Sequence, residues 1–224
     1  HLGHSFPTRR SSDLIKYHIE VKGKGKPIIC LHGFSENLST WEFFKLNGYQ
    51  LILIDLIGHG ESDKPKGRKY YSLNVILRHL NKIISKLGIK KYSILGYSMG
   101  GRIALAYALL YAKEIDNLIL ESASYGEEGF LHRLNRRRND LNLAKSIETH
   151  GIEWFNQYWS NLNIFESQRN LPPDVINKIN KIRLANSTHA LSNTLKSTGQ
   201  GKFPCLKNQI VKLDIKVLYI SGRS

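Results

Sequence analysis

Gly96-Tyr97-Ser98-Met99-Gly100-Gly101 sets a serine between two glycines, two positions away on each side, where the apolar run Tyr92-Ser93-Ile94-Leu95 gives way to a second apolar stretch, Ile103 to Leu110. The first run has the length of a strand and the second that of a helix, so Ser98 stands on a sharp strand-to-helix turn. Such a turn strains the serine backbone and exposes its hydroxyl, and the flanking glycines are small because a side chain there would strike the neighbouring elements. A serine held this way serves as nucleophile or base once another group takes its proton. The helix that begins at Met99 aims backbone N–H groups at the same spot and favours a developing negative charge. A second donor is the N–H of Phe34, in the loop after Ile28-Ile29-Cys30-Leu31. Ser98 is therefore the candidate catalytic residue, and Phe34 and Met99 are the candidate oxyanion hole.

A sheet must carry these loops. Ile15 to Val21 alternates apolar and polar residues, and Gly23-Lys24-Gly25-Lys26-Pro27 reads as the turn that follows. Ile28 to Leu31, Leu51 to Ile54, Tyr92 to Leu95, Leu118 to Leu120 and Val217 to Ile220 are continuous apolar runs, the pattern of strands buried on both faces. Helical periodicity covers Ser72 to Leu87, with Leu73, Ile76, Leu77, Leu80, Ile83, Ile84 and Leu87 on one face, and then Met99 to Ala112. This alternation predicts a mainly parallel sheet flanked by helices, with ligands bound beyond the carboxyl ends of the strands. There the sequence places His32-Gly33-Phe34, Asp55 to Ser62, and Gly96 to Gly100. The constellation resembles the α/β-hydrolase fold.

The chain divides accordingly. Residues 1–14 resemble a translated sequencing adaptor and are set aside. Residues 15–124 form the first part of the core, and 125–204 a mostly helical cap, broken at Gly151, Pro172-Pro173 and Gly199-Gln200-Gly201, that closes over Ser98 and sets specificity. Residues 205–224 return to the core and stop where the last strand meets its loop. In this fold the partners of the serine follow it as acid, then histidine. His32 and His59 precede Ser98 and read as loop-packing residues; His132, His150 and His189 all come before the last strand. Asp214 precedes that strand, and Glu121 occupies an alternative acid position used in some branches of the fold. The acid and histidine are thus expected beyond Ser224, which leaves a C-terminally truncated protein, inactive in this form and poorly stable, its last strand an unpaired edge.

Composition narrows the function. The chain has 33 Lys and Arg against 18 Asp and Glu, a net charge of +15. That excess is scattered along the sequence, whereas a nucleic-acid surface gathers it into a patch, so no nucleic-acid partner is expected. No apolar stretch is long enough for a membrane span. Cys30 and Cys205 lack any paired spacing, and Cys30 sits in an apolar run, which points to free thiols and a cytoplasmic setting.

Within the cap, Arg136-Arg137-Arg138-Asn139-Asp140, Trp154, Trp159, Arg169 and Arg183 admit two readings. One is a solvated helix face over core tryptophans. The other is a clamp for an anionic substrate, because guanidinium groups hold carboxylates in bidentate fashion.

Taken with Leu31 to Phe34, Gly58-His59-Gly60 and Gly96 to Arg102, the cap residues extend the resemblance. Glu121 to Ser124, Arg136 to Asp140, His150 to Glu153, Tyr158-Trp159, Ser167-Gln168, Arg183 with Asn186, and Gly199-Gln200-Gly201 ahead of Pro204 are similar to the 2-succinyl-6-hydroxy-2,4-cyclohexadiene-1-carboxylate synthase family of menaquinone biosynthesis. The likeness runs from Ile15 to Ser224. It implies a lyase that expels pyruvate from a cyclohexene carrying several carboxylates, with Ser98 as base and the Phe34 and Met99 N–H groups holding the charge on the conjugated carbonyl oxygen. It implies substrate contacts at Tyr97, Arg136, Trp159 and Arg183, a small anionic polycarboxylate as partner, and neither metal nor organic cofactor. Arg102 also fits the family pattern, but at the start of a buried helix it reads as structural. Two alternatives use the same residues: a serine hydrolase acting on an ester or carbon–carbon bond, and an inactive binding protein.

Overall fold

Leu31, Ile54 and Gly96 lie side by side in one sheet, Leu31 in register with the other two. The computed structural model describes residues 15–222; the segment 1–14 set aside above, and Arg223 and Ser224, lie outside the described residues. Six strands run in the order β1 (Ile19–Gly23), β3 (Tyr49–Ile54), β2 (Lys26–Leu31), β4 (Tyr92–Tyr97), β5 (Ile115–Glu121), β6 (Lys216–Ile220). β1 pairs antiparallel with β3 and every other pair is parallel. Because β2, β3 and β4 end level, the loops that follow them open at one edge of the sheet.

The continuous apolar runs are explained by cover on both faces. Ile29, Leu31, Ile52, Ile54 and Ile94 point to the side packed by α1 (Leu73–Lys86) and α2 (Met99–Tyr111), in a cluster that includes Ile76, Leu80 and Ile84. Ile28, Cys30, Leu51, Leu53 and Leu95 point the other way, against Leu38 and Trp41. α2 is buried almost all round, from Met99 to Ala108, so its sequence lacks a polar stripe.

Three details depart from the expected elements. Lys26 and Pro27 belong to β2 rather than to a turn; proline fits the start of a strand, where its missing donor is least costly. Ile15 and Tyr17 are buried but precede the strand, because Lys16 N–H and His18 N–H donate to the Asp63 and Ser62 side chains. Val217 to Ile220, expected to be buried, are exposed along the whole of β6.

Between β5 and β6 the fold is helical: α3 (Phe130–Ser160), α4 (Pro173–Leu184), α5 (Thr188–Thr198) and the short α6 (Lys207–Ile210). α3 is interrupted at Gly151, whose φ of 84° suits glycine. α4 starts on Pro173, and α5 stops at Gly199, where a Cβ would lie 2.3 Å from the Leu195 carbonyl oxygen. Ala144, Ile147 and Phe155 of α3 pack on Leu191 and Leu195 of α5 in a separate small core. Among the described residues no helix is long and apolar enough to cross a membrane.

Candidate active site

Ser98 joins β4 to α2 with φ 49° and ψ −108°, a conformation that is strained for a residue with a Cβ. Its backbone N–H donates to the Glu121 carbonyl at 2.8 Å, which anchors the turn to β5. The glycines around it are required by contact. A Cβ on Gly100 would meet the Leu31 carbonyl oxygen at 2.2 Å, and one on Gly96 would meet that of Gly100 at 2.5 Å. The serine is half-buried, and among the described residues nothing hydrogen-bonds to its hydroxyl.

The Phe34 and Met99 N–H groups likewise have no acceptor among the described residues, and both residues line the same cavity as Ser98. His32 and His59 hold the loops behind them. His32 Nδ1 donates to the Gly33 carbonyl at 2.7 Å while its Nε2 accepts the Leu56 N–H at 2.9 Å, so one neutral ring ties two loops together. His59 Nδ1 donates to the Ile57 carbonyl at 3.1 Å, and the two rings lie 5.2 Å apart. Burial lowers His32 to about 3 and His59 to about 4, which keeps both neutral. His132 is exposed, His150 lies against Trp154, and His189 bonds to Ser187 and the Lys64 carbonyl.

The cavity in front of Ser98 has a volume of about 450 Å³. Tyr97, Arg136 and Trp159 line it together with Phe34, Ser98 and Met99. The ring of Trp159 packs on Phe34 and Phe155, at 5.4 and 5.3 Å, so the helical segment forms the wall opposite the serine. Burial, then the nearby Glu36 and Glu121 carboxylates, push the Tyr97 hydroxyl up to about 12, so it remains a hydrogen-bond donor at neutral pH. Arg136 reaches Asp140 through Nε at 3.1 Å.

Arg183 lies within the helical segment, beside the Ser98 cavity. It is 5 % exposed and lines a second cavity of about 270 Å³ within the helical segment. Its guanidinium donates to Ser160 Oγ at 2.8 Å and Gln168 Oε1 at 3.1 Å, and lies 5.1 Å from the Phe165 ring. Arg183 stays within electrostatic reach of Glu36 and Tyr97, which line the Ser98 cavity, and Phe165 lines both cavities. Its packing follows from the fold of the 163–170 turn, which no local pattern specifies.

Two residues that sequence reasoning passed over face the Ser98 cavity. Arg102 is buried, and its Nε has no hydrogen-bond partner. Burial, and Arg136 nearby, lower it to about 10. The signal for it was present: a charged residue on a helix that is otherwise apolar all round. Glu36 also lines the cavity; its Oε2 accepts the Gly33 N–H at 3.1 Å and the Thr40 hydroxyl at 2.9 Å, and burial pushes its carboxyl above the ordinary range. Among the described residues no group of His, Cys, Asp and Glu is placed to hold a metal ion.

A strained serine on a β4–α2 turn, beneath a helical insertion and at the carboxyl edge of this sheet, defines an α/β hydrolase. The family model for the alpha/beta hydrolase fold matches residues 26–133. A Bacillus subtilis protein provisionally named 2-succinyl-6-hydroxy-2,4-cyclohexadiene-1-carboxylate synthase is 36 % identical over 94 % of this chain and 78 % of its own length. The structure of MenH from S. aureus superposes with a TM-score of 0.84 at 34 % identity, covering 90 % of this chain and 78 % of that one. A thermophilic esterase from Thermogutta terrifontis, solved with malate bound, shares the fold at 23 % identity and TM-score 0.81, over 99 % of this chain and 80 % of its own. The chain belongs to the family of α/β hydrolases that contains the B. subtilis and S. aureus proteins.

Proposed function

We propose that this site eliminates pyruvate from 2-succinyl-5-enolpyruvyl-6-hydroxy-3-cyclohexene-1-carboxylate, giving 2-succinyl-6-hydroxy-2,4-cyclohexadiene-1-carboxylate for menaquinone biosynthesis. The observation that carries the reading is the pairing, in one cavity, of Ser98 and two unpartnered N–H groups with a buried guanidinium that has no carboxylate bonded to it. A buried cation that Asp140 and Glu127 act on only from a distance is costly, and a substrate carboxylate at Arg102 offsets that cost. Arg136 meets a second carboxylate from the rim of the cavity. Ser98 Oγ takes the ring proton, and the charge that develops on the conjugated carbonyl oxygen is held by the Phe34 and Met99 N–H groups. The carbon–oxygen bond to the enolpyruvyl group then breaks, and the departing enolate is protonated to pyruvate. The names of the B. subtilis and S. aureus relatives support the same reaction.

Ser98 acts as a base only when a histidine–carboxylate pair draws its proton. The test uses the protein translated from its whole gene. Pyruvate release by that full-length protein, lost on Ser98→Ala, supports the reading. A burst of product with an acyl-enzyme on Ser98 and no pyruvate would establish a hydrolase instead.

A further inference from the structure

Asn186 sits just past the end of α4, and its amide group reaches from the helical segment to the sheet. Its Nδ2 donates to the Ser35 carbonyl at 2.9 Å, and also to the Ile182 and Arg183 carbonyls at 3.0 and 3.2 Å. Asn186 is buried, and its Oδ1 has no partner among the described residues. A buried amide that leaves its oxygen unsatisfied is held in place by what its NH2 group does.

Ser35 follows Phe34 directly. Its φ of 62° is in the left-handed region, and its buried hydroxyl has no partner among the described residues. Serine has no local reason to stay in this conformation without such a bond, so an outside contact must hold it. The sheet side of the molecule grips Gly33: His32 Nδ1 donates to its carbonyl and Glu36 Oε2 accepts its N–H. Among the described residues the Ser35 carbonyl is held by Asn186 alone. The Phe34 ring is also gripped from the helical segment, by Phe155 at 5.9 Å and Trp159 at 5.4 Å. Asn186 shares its turn with Arg183, to whose carbonyl its backbone N–H donates at 3.2 Å.

We propose that Asn186 is a positioning residue of the oxyanion loop: His32 fixes the Gly33–Phe34 peptide that carries the donor N–H, and Asn186, by fixing the Ser35–Glu36 peptide, holds the other side of Phe34, so the loop keeps its place only while the end of α4 is seated on it. This rests on the reading of Phe34 as an oxyanion donor. The segment that carries the cavity wall then also holds one side of the loop that presents the donor, and His32 holds the other. No part of Asn186 itself touches the Ser98 cavity wall, since its amide is spent on carbonyl groups.

Amide hydrogen exchange on the protein, comparing residues 33–36 with residues 92–111, tests the contact. Asn186→Ala speeds exchange at 33–36 by about tenfold or more over any change at 92–111, because only local opening is affected. Asn186→Asp has nearly the same volume but cannot donate, and gives the same ratio. Wild-type exchange at 33–36 in Asn186→Asp, or equal acceleration of both segments in the two variants, overturns the proposal. In the full-length protein, Asn186→Ala lowers kcat about 10- to 100-fold while KM changes less than about threefold, as expected for a loosened transition-state donor. A change confined to KM also overturns it. If the unsubstituted full-length protein releases no pyruvate, the proposed reaction fails, and the exchange ratio still decides whether Asn186 holds the loop.

Discussion

Arg136 and Asp140 are paired across one turn of α3, Nε to Oδ1 at 3.1 Å, and Asp140 also accepts the Gly201 N–H at 2.8 Å. One carboxylate thus locks α3 to the bend after α5 and orients an arginine at the mouth of the cavity. Arg102, deeper in the same cavity, has no carboxylate bonded to it. The two arginines therefore respond differently to an anion.

Replacing Arg102 with Met keeps the apolar stem beside Phe203 and removes a buried charge to which neither Asp140 nor Glu127, the nearby carboxylates, is bonded. The ligand-free protein gains stability on the order of 1 kcal/mol in urea unfolding. A dicarboxylate such as succinate raises the melting temperature of the unsubstituted protein and leaves that of Arg102→Met unmoved. Equal protection of both proteins would remove Arg102 from the anion site.

Ser98→Gly relieves the left-handed backbone at the turn, whereas Ser98→Ala retains it. The glycine variant is more stable than the alanine variant by about 1 kcal/mol, the lower end of the cost of such a conformation. Both lose turnover. Denaturation midpoints of the two proteins, measured side by side, decide whether strain is stored at this position.

Gly100→Ala places a methyl group against the Leu31 carbonyl oxygen, which is backbone and cannot swing aside. The expected loss is about 3 kcal/mol or more, at or beyond the usual cost of overpacking. Gly88→Ala, where a Cβ meets nothing within 4 Å but φ is +70°, costs less, about 1 kcal/mol from backbone strain alone. Comparable losses at the two sites would show that close approach is not what selects glycine at position 100.

The buried histidines make the fold acid-sensitive. Their folded values of about 3 and about 4 lie below the unfolded value of 6.5, so the unfolded state binds protons first as pH falls. The stability they contribute is complete above about pH 6.5 and is lost progressively between there and about pH 3. The melting temperature should drop over that window, and His32→Asn should flatten the drop while lowering stability at pH 7, where the Leu56 N–H loses its acceptor. A profile unchanged by His32→Asn would assign the acid sensitivity elsewhere.

Much of the sheet was legible because strands covered on both faces write themselves as unbroken apolar runs, as at Ile28 to Leu31 and Leu51 to Ile54. The boundaries that failed did so where polar side groups compete with the ladder. Lys16 and His18 give their N–H groups to Asp63 and Ser62, and no pattern in residues 15 to 21 announces that. At the site, the positions of Ser98, Phe34 and Met99 in the loops that end two strands, β2 and β4, could be read from the sequence. Arg102 was read as structural because a buried helix start accommodates a structural arginine as readily as a functional one; that it lines the Ser98 cavity was not legible. Its lack of a partner appears only when every neighbour is placed.

The sequence by itself determined the alternation of strand and helix and the serine turn, because hydrophobic period and the steric needs of Gly96 and Gly100 are local or nearly so. It also located the breaks in the helical segment, at Gly151, Pro173 and Gly199, where backbone chemistry alone forbids a regular helix. The tertiary structure decided that Arg102 and Arg136 line the Ser98 cavity, that Arg183 bonds to Ser160 and Gln168, and that Asn186 reaches Ser35 across the fold. Those contacts depend on how the helical segment seats on the sheet, a packing in which many weak interactions combine and no single residue type dictates the outcome.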